Sequence, residues 1–128
     1  MKNSVTYPIA KDTPVSHLPF SPAVRVGDLI FVSGQASVDA TGKIVPDTFE
    51  GEFRRSVENL RKVLETSGSD LRHVIQTRNY VRDAANVPRF NELYREYFST
   101  PYPTRTTITN CLPPTLHYEI ECVAVPKA

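Results

Sequence analysis

Residues 103–112 read Pro-Thr-Arg-Thr-Thr-Ile-Thr-Asn-Cys-Leu, and residues 118–125 read Tyr-Glu-Ile-Glu-Cys-Val-Ala-Val. Both stretches alternate between polar and apolar side chains, which is typical of a half-buried β-strand. The large apolar residues in both stretches are even-numbered, as Ile108, Tyr118 and Ile120 illustrate. If the two strands pair, burying both apolar sets together requires even positions to stand opposite even positions.

The odd-numbered positions of these two strands would then share the second face of the sheet. Among them are Arg105, Thr107, Glu119 and Glu121. An arginine, a hydroxyl and two carboxylates on one face are suited to binding an anion and moving a proton. The alternative is that these side chains only meet water, since an exposed Arg–Glu pair across two strands contributes little to stability.

The composition is ordinary for a globular protein. The chain has 128 residues, of which 40% are hydrophobic, and a net charge of +1 from 15 basic and 14 acidic side chains. This balance argues against nucleic acid or an anionic membrane as the main partner. We find no membrane span, no secretion signal and no Cys/His spacing of metal ligands, and therefore expect a cytoplasmic protein without a metal site.

Hydrophobic periodicity predicts the other elements. Residues 23–33 should form two strands joined by a Gly-Asp turn. Helices are predicted over about residues 48–67 and 87–99, because apolar residues recur there every three or four positions. A strand is predicted over about residues 73–82, and a short extra strand near Val5.

The predicted order, β-β-α-β-α-β-β, suits a two-layer α+β domain. Two amphipathic helices would cover one face of a single mixed sheet. The other face would stay uncovered although it carries apolar residues such as Val123 and Val125. Such a face suggests burial against other copies of the same chain.

Further motifs run along the chain in order. Residues 19–35 read Pro-Phe-Ser-Pro-Ala-Val-Arg-Val-Gly-Asp-Leu-Ile-Phe-Val-Ser-Gly-Gln. Shorter motifs lie on the two predicted helices and the closing strands, at residues 56–60, 91–98, 103–106, 112–113 and 119–121. Together these motifs resemble the RidA (YjgF-like) family of imine and enamine deaminases, over essentially the whole chain.

This resemblance implies a chorismate-mutase-like α+β fold for one domain spanning residues 1–128. It implies a homotrimer whose sheets form the inside and whose three clefts lie between subunits. It also implies a small carboxylate substrate and neither a metal nor an organic cofactor.

The resemblance assigns roles to individual residues. Arg105 matches the arginine that binds the substrate carboxylate, for which a guanidinium is suited by its two parallel hydrogen bonds. Glu119 matches the acid that acts on the attacking water. The other residues expected to bind substrate are Phe20, Ser33, Gly34, Asn91 and Thr107. Phe20 and Thr107 depart from the family, in which many members have a tyrosine and a cysteine at these positions.

The favoured function is the hydrolysis of reactive 2-imino or enamine acids, such as 2-aminoacrylate, to 2-keto acids and ammonia. The closing motif is also similar to the aminomuconate deaminase branch, so a larger acid is an alternative substrate. Another alternative is a sensor or chaperone-like module that binds a small carboxylate without catalysis. Endoribonuclease activity, which the resemblance connects with some members, is disfavoured by the near-neutral charge.

Overall fold

A six-stranded mixed sheet and two helices form the fold. The computed structural model describes residues 4–11, 13 and 16–128. The elements are β1 (Val5–Thr6), β2 (Ala23–Val26), β3 (Leu29–Ala36), α1 (Phe49–Thr66), β4 (Val74–Val81), α2 (Val87–Tyr97), β5 (Thr104–Thr109) and β6 (Tyr118–Ala124). The predicted α+β class and order of elements are confirmed, including the short strand at Val5.

Helix α1 begins and ends where its sequence signals predict. The Thr48 hydroxyl accepts a hydrogen bond from the Gly51 backbone N–H at 3.1 Å, which caps the helix. Gly68, just past the last turn, has a φ of 87°, a conformation that favours glycine. The apolar stripe of the helix is fully buried, and its members are Phe53, Val57, Leu60 and Leu64.

The strand order of the sheet is β1-β2-β3-β6-β4-β5. β5 runs parallel to β4, whereas the other neighbouring strands are antiparallel. The two closing strands, β5 and β6, are therefore not neighbours, because β4 lies between them. Thr77 of β4 stands opposite both Arg105 of β5 and Cys122 of β6.

The predicted pairing and shared face of the closing strands are therefore wrong. Opposed residues of neighbouring strands point to the same face. Arg105 and Thr107 consequently share the helix-covered face with the even-numbered residues of β6, whereas Glu119 lies on the uncovered face. Ile108, expected in the core, is 40% exposed. Alternation predicted which residues of β5 share a face and which residues of β6 share a face. It could not show that β4 lies between these two strands.

The core between helices and sheet is built around the buried ring of Tyr118. Three phenylalanine rings lie 4.7 to 6.1 Å from it, centroid to centroid: Phe49, Phe53 and Phe90. The Tyr118 hydroxyl donates to Asn79 Oδ1 at 2.5 Å, and Asn79 Nδ2 donates to Thr77 Oγ1 at 3.0 Å. These hydrogen bonds satisfy polar groups that burial would otherwise leave unpaired.

The second face of the sheet has no helix over it among the described residues, as predicted for β6. It carries exposed or half-buried apolar side chains, including Phe31, Ile108 and Val123. It also carries Glu121, whose carboxylate lies 3.8 Å from the guanidinium of Arg78. The face is thus mixed in character, with apolar and ion-paired groups side by side.

Candidate active site in two halves

The first half of the candidate site lies at a bulge in β3. The register between β3 and β6 shifts between Val32 and Gln35, so that Ser33 and Gly34 together stand opposite Glu121. A bulge bends its strand and re-aims the neighbouring side chains. The bulge follows Val32, and the regular pairing of β3 with β6 resumes at Gln35.

Gly34 leaves space for a neighbouring side chain at this bulge, whereas Ser33 makes a hydrogen bond. A Cβ atom at Gly34 would overlap Oε2 of Glu119 and lie 3.0 Å from its Cδ. The missing side chain therefore creates the space that the Glu119 carboxyl group occupies. The Ser33 hydroxyl donates to the Ser21 carbonyl oxygen at 2.5 Å, which joins β3 to the segment before β2.

Glu119 borders a surface cleft of about 300 Å³, which we call the Glu119 cleft. Its other walls are largely apolar and include Leu18, Phe20, Pro22, Gly34 and Ile44. Phe20 is 51% exposed, so its ring faces the cleft and solvent instead of packing into the core. The Glu119 carboxyl group therefore lies beside a largely apolar surface.

The surroundings of Glu119 favour its protonated form. Burial raises the pKa of Glu119, and the nearby charge of Glu121 raises this pKa further. Glu121 is itself held by the Tyr80 hydroxyl, which donates to it at 2.5 Å. A carboxyl group with a raised pKa is suited to exchanging a proton near neutral pH.

The second half of the candidate site is a cleft of about 320 Å³ around Arg105, which we call the Arg105 cleft. Its remaining lining residues come from α2 and the segment before β5: Asn91, Tyr94, Arg95, Tyr102 and Pro103. The Arg105 guanidinium lies over two rings, 4.9 Å from the centroid of Phe90 and 5.0 Å from that of Tyr94. Within the described residues its N–H groups make no hydrogen bond or ion pair, so they are available to an anion.

The structure divides the sequence-predicted residues between these clefts. Phe20, Gly34 and Glu119 line one, whereas Asn91 and Arg105 line the other. Ser33 adjoins Gly34, but its hydroxyl is already bonded.

Thr107 lies on the same face as Arg105, two residues further along β5. It stands opposite Asn79 of β4 in the register of the sheet. Its Oγ1 atom is buried and has no hydrogen-bond partner in the described part of the chain. It is the one buried side-chain oxygen or nitrogen there left unpaired.

One chain does not bring Arg105 and Glu119 together. They project from opposite faces of the sheet, as the registers of β4 with β5 and β6 require. β4 also separates their strands, which adds about 10 Å at the usual strand spacing. A three- or four-carbon acid therefore cannot contact both side chains within a single chain.

Sequence reasoning missed the two rings beneath Arg105. Phe90 and Tyr94 belong to the apolar residues whose periodicity predicted the second helix, and sequence reasoning gave them no part in the site. They are buried, but each also presents a ring face to the guanidinium. Their spacing of four residues places them on one side of the helix, which is the signal that could have been used. Leu18, Ile44 and Tyr102 were also missed.

No group of three or more His, Cys, Asp or Glu side chains among the described residues is arranged to hold a metal ion. None of the helices described is long and apolar enough to cross a membrane.

Comparison with known proteins identifies relatives along nearly the whole chain. The family model described as Endoribonuclease L-PSP matches residues 10–126. A protein of Dermatophagoides farinae named 2-iminobutanoate/2-iminopropanoate deaminase is 30% identical over 109 residues, which cover 84% of this chain and 85% of that protein. Reactive Intermediate Deaminase A, chloroplastic, of Arabidopsis thaliana is 34% identical over 108 residues, covering 83% of this chain and 58% of its own length.

The fold is similar to that of solved structures. The crystal structure of the yeast protein YEO7 has a TM-score of 0.89 and 30% sequence identity, and the match covers 97% of this chain and 100% of the yeast chain. The sheet and both helices therefore have counterparts in an experimentally determined structure of nearly the same length.

Proposed function

The chain belongs to the Endoribonuclease L-PSP family, also called the RidA family, and on this premise we propose that it hydrolyses 2-imino and enamine acids to 2-keto acids and ammonia. The observation that carries the proposal is the pair of clefts, one with an unpaired guanidinium and one with a half-buried carboxyl group. The names of two relatives refer to deaminases, and one specifies four- and three-carbon imino acids.

In this proposal, Arg105 binds the substrate carboxylate. Its planar guanidinium forms two parallel hydrogen bonds to the two carboxylate oxygens, which fixes the position of the adjacent C=N carbon. Asn91 borders the same cleft and is placed to contact a polar group of the substrate.

Glu119 then acts on water. It accepts a proton from the water molecule as the oxygen adds to the C=N carbon, and it passes this proton to the nitrogen, which becomes an amino group. The resulting carbinolamine forms its C=O bond as the C–N bond breaks, and the proton of its hydroxyl passes through Glu119 to the departing ammonia. The raised pKa of Glu119 suits both directions of transfer.

A second copy of the chain completes the site. Because Arg105 and Glu119 lie on opposite faces of the sheet, the Arg105 cleft of one copy must face the Glu119 cleft of the next. Such a head-to-tail contact uses different surfaces on its two sides, so it closes only as a ring. We propose that this ring is the homotrimer implied by the family, with the uncovered sheet faces turned inward.

The walls of the Glu119 cleft would receive the substrate side chain. Leu18, Phe20 and Ile44 offer apolar contacts, whereas Gly34 leaves room beside the carboxyl group. Phe20 has no hydroxyl with which to bind a polar substituent. We therefore propose apolar 2-imino acids of three to five carbons as substrates, in preference to dicarboxylates such as an aminomuconate.

The test is the rate at which freshly generated 2-iminopropanoate and 2-iminobutanoate disappear, compared with the uncatalysed reaction. Glu119→Gln should lower the catalysed rate by roughly 10² to 10⁴-fold, the range for loss of a general base. Glu58→Gln, a change of the same kind on the surface of α1, should leave the rate unchanged. Unchanged hydrolysis in Glu119→Gln would reject the mechanism.

A carboxylate-binding protein without catalysis is the second candidate. The observation in its favour is that the described residues lining the Arg105 cleft include two arginines and an asparagine but no acidic side chain that could act on water. In that case 2-oxobutanoate would bind equally to the unmodified protein and to Glu119→Gln, and neither would accelerate hydrolysis of an imino acid. Measuring imino-acid hydrolysis and 2-oxobutanoate binding on the same proteins separates the two functions, because only a deaminase accelerates the hydrolysis.

The distribution of basic side chains gives less support to RNA cleavage than to the two functions above. Most arginines on the helices are paired with acids, among them Arg54 with Glu50 and Glu96, and Arg61 with Glu58 and Glu65. An unpaired row of basic groups that follows a phosphate backbone is the usual sign of nucleic-acid binding. The near-neutral net charge of +1 points the same way.

A further inference from the structure

Arg105 contacts two aromatic rings that have no part in the proposed mechanism. Its guanidinium lies in the angle between the rings of Phe90 and Tyr94, which we call the aromatic platform. The two centroids are 5.6 Å apart and the ring planes are inclined at 65°. Both rings lie within the 6 Å at which a cation is attracted to the face of an aromatic ring.

Tyr94 is fixed in place by a bond to the strand beside Arg105. Its hydroxyl and the Thr77 hydroxyl are 2.8 Å apart. Thr77 is also the residue of β4 that stands opposite Arg105 in the parallel register. The ring is therefore anchored to the immediate neighbour of the arginine that it contacts.

This anchor is continued into the core. Thr77 Oγ1 accepts a hydrogen bond from Asn79, which in turn accepts one from the Tyr118 hydroxyl. The other face of the Tyr94 ring stacks on Phe98, at 4.4 Å between centroids. Tyr94 is 3% exposed, so neither the ring nor its hydroxyl has freedom to move without disturbing these partners.

Arg105 itself is exposed and has no polar partner in the described part of the chain. A long exposed arginine side chain ordinarily samples many rotamers, and ordering it opposes ligand binding. Contact with both rings restricts the guanidinium, while its N–H groups make no hydrogen bond or ion pair within the described residues. The guanidinium is thus ordered before a carboxylate arrives.

We propose that Tyr94 is a positioning residue for Arg105, acting through its ring face and held by Thr77. This inference rests on the proposed function, since it assumes that Arg105 binds a carboxylate. It predicts that the ring, more than the hydroxyl, determines the affinity for a 2-keto acid. The hydroxyl has a smaller effect because the ring also packs against Phe90 and Phe98.

The experiment is calorimetric titration of the whole assembled protein with 2-oxobutanoate. Tyr94→Leu should weaken binding by roughly three- to tenfold, in keeping with the strength of a cation–π contact. Tyr94→Phe should weaken it by about twofold or less, since the ring remains. Phe90→Leu tests the second ring of the platform, should Tyr94→Leu fail to fold, and should weaken binding in the same way.

Phe49→Leu is the matched control. Phe49 is a buried ring of the same core, and it contacts Phe53 and Tyr118 but not the platform. It should lower the melting temperature, as Tyr94→Leu does, yet leave the affinity for 2-oxobutanoate unchanged. Equal weakening by Phe49→Leu, or affinity of a folded Tyr94→Leu within twofold of the unmodified protein, would overturn the proposal.

The result separates this inference from the proposed function. A protein that binds 2-oxobutanoate through the platform but does not accelerate imine hydrolysis would contradict the deaminase and leave the positioning role intact. A protein that hydrolyses imino acids but binds the keto acid equally with and without the Tyr94 ring would contradict only the positioning role.

Discussion

Gly34 and Glu119 fit together so closely that no side chain can be added at Gly34 while the carboxyl group stays in place. A Cβ there would overlap Oε2 of Glu119 and approach its Cδ to 3.0 Å. The bulge in β3 brings the two residues to this distance. The atoms that would have to move are the far end of a flexible side chain, and not backbone.

Gly34→Ala should therefore fold and yet lose activity. The methyl group would push the Glu119 carboxyl group away from its position, and a misplacement of about 1 Å costs a catalytic group roughly 10²-fold. The measurements are the rate of 2-iminobutanoate hydrolysis and the melting temperature of the same preparation. Normal turnover by Gly34→Ala would show that the position of Glu119 does not matter to the reaction.

Arg105→Lys should lose most of the activity although the charge is kept. A lysine ammonium is a point charge and cannot form two parallel hydrogen bonds with a carboxylate. Binding of 2-oxobutanoate should weaken by about tenfold or more, the difference that one strong charge-assisted hydrogen bond makes.

Arg95→Lys is the control for this substitution. Arg95 borders the same cleft, is exposed and lies on α2. The same chemical change there should have little effect on keto-acid binding. If Arg105→Lys bound the keto acid as well as Arg95→Lys does, Arg105 would not be the group that holds the carboxylate.

The elements were predictable because their signals are local. Thr48 and Gly68 mark the ends of α1, and the periodicity of its apolar residues lies within the helix itself. The same holds for the alternation of β6, whose even-numbered residues are buried and whose odd-numbered residues are not. Each of these signals depends on residues a few positions apart.

The strand order was not predictable in this way. Nothing in the alternation of β5 and β6 shows that β4 stands between them, and that arrangement reverses the face on which Arg105 lies. The consequence for the site is large. A sequence that suggests one cluster of Arg105 and Glu119 folds into two half-sites, because side-chain direction depends on strand neighbours that are distant in sequence. The site roles of Arg105, Glu119 and their neighbours remain predictions.

Glu119→Gln should be more stable relative to the unmodified protein at pH 8 than it is at pH 4. The pKa of Glu119 in the folded protein is raised by burial and then by Glu121, so it lies above the value of the unfolded chain. The folded state therefore holds this proton more tightly, and the unmodified protein loses stability as the pH rises through the interval between the two pKa values. Glutamine carries no charge and avoids this loss.

Urea denaturation of both proteins at the two pH values measures the effect. The free energy of unfolding of Glu119→Gln minus that of the unmodified protein should be more positive at pH 8 than at pH 4. Glu58→Gln should show the opposite sign, because the pKa of Glu58 is lowered by its hydrogen bond to Arg61. An equal difference at both pH values would contradict the raised pKa of Glu119.

Arg105→Ala and Glu119→Gln should restore each other's activity when they assemble together. Each variant alone should be inactive, because every cleft lacks one of the two groups. In a mixed ring, a cleft that takes Arg105 from a Glu119→Gln chain and Glu119 from an Arg105→Ala chain is intact. Random assembly of equal amounts gives such a cleft in roughly a quarter of cases, since each of the two positions has even odds of receiving the required chain.

The measurement is imine hydrolysis after the two variants are unfolded and refolded together, with native mass spectrometry to confirm mixed trimers. The control is the same two proteins refolded separately and then combined, which should show no activity beyond that of either alone. If the site lay within a single chain, mixing could not restore activity, because every chain in the mixture would still lack either Arg105 or Glu119. Mixed trimers as inactive as the separate variants would therefore reject the site between copies, and light scattering that found a stable monomer would reject the ring itself.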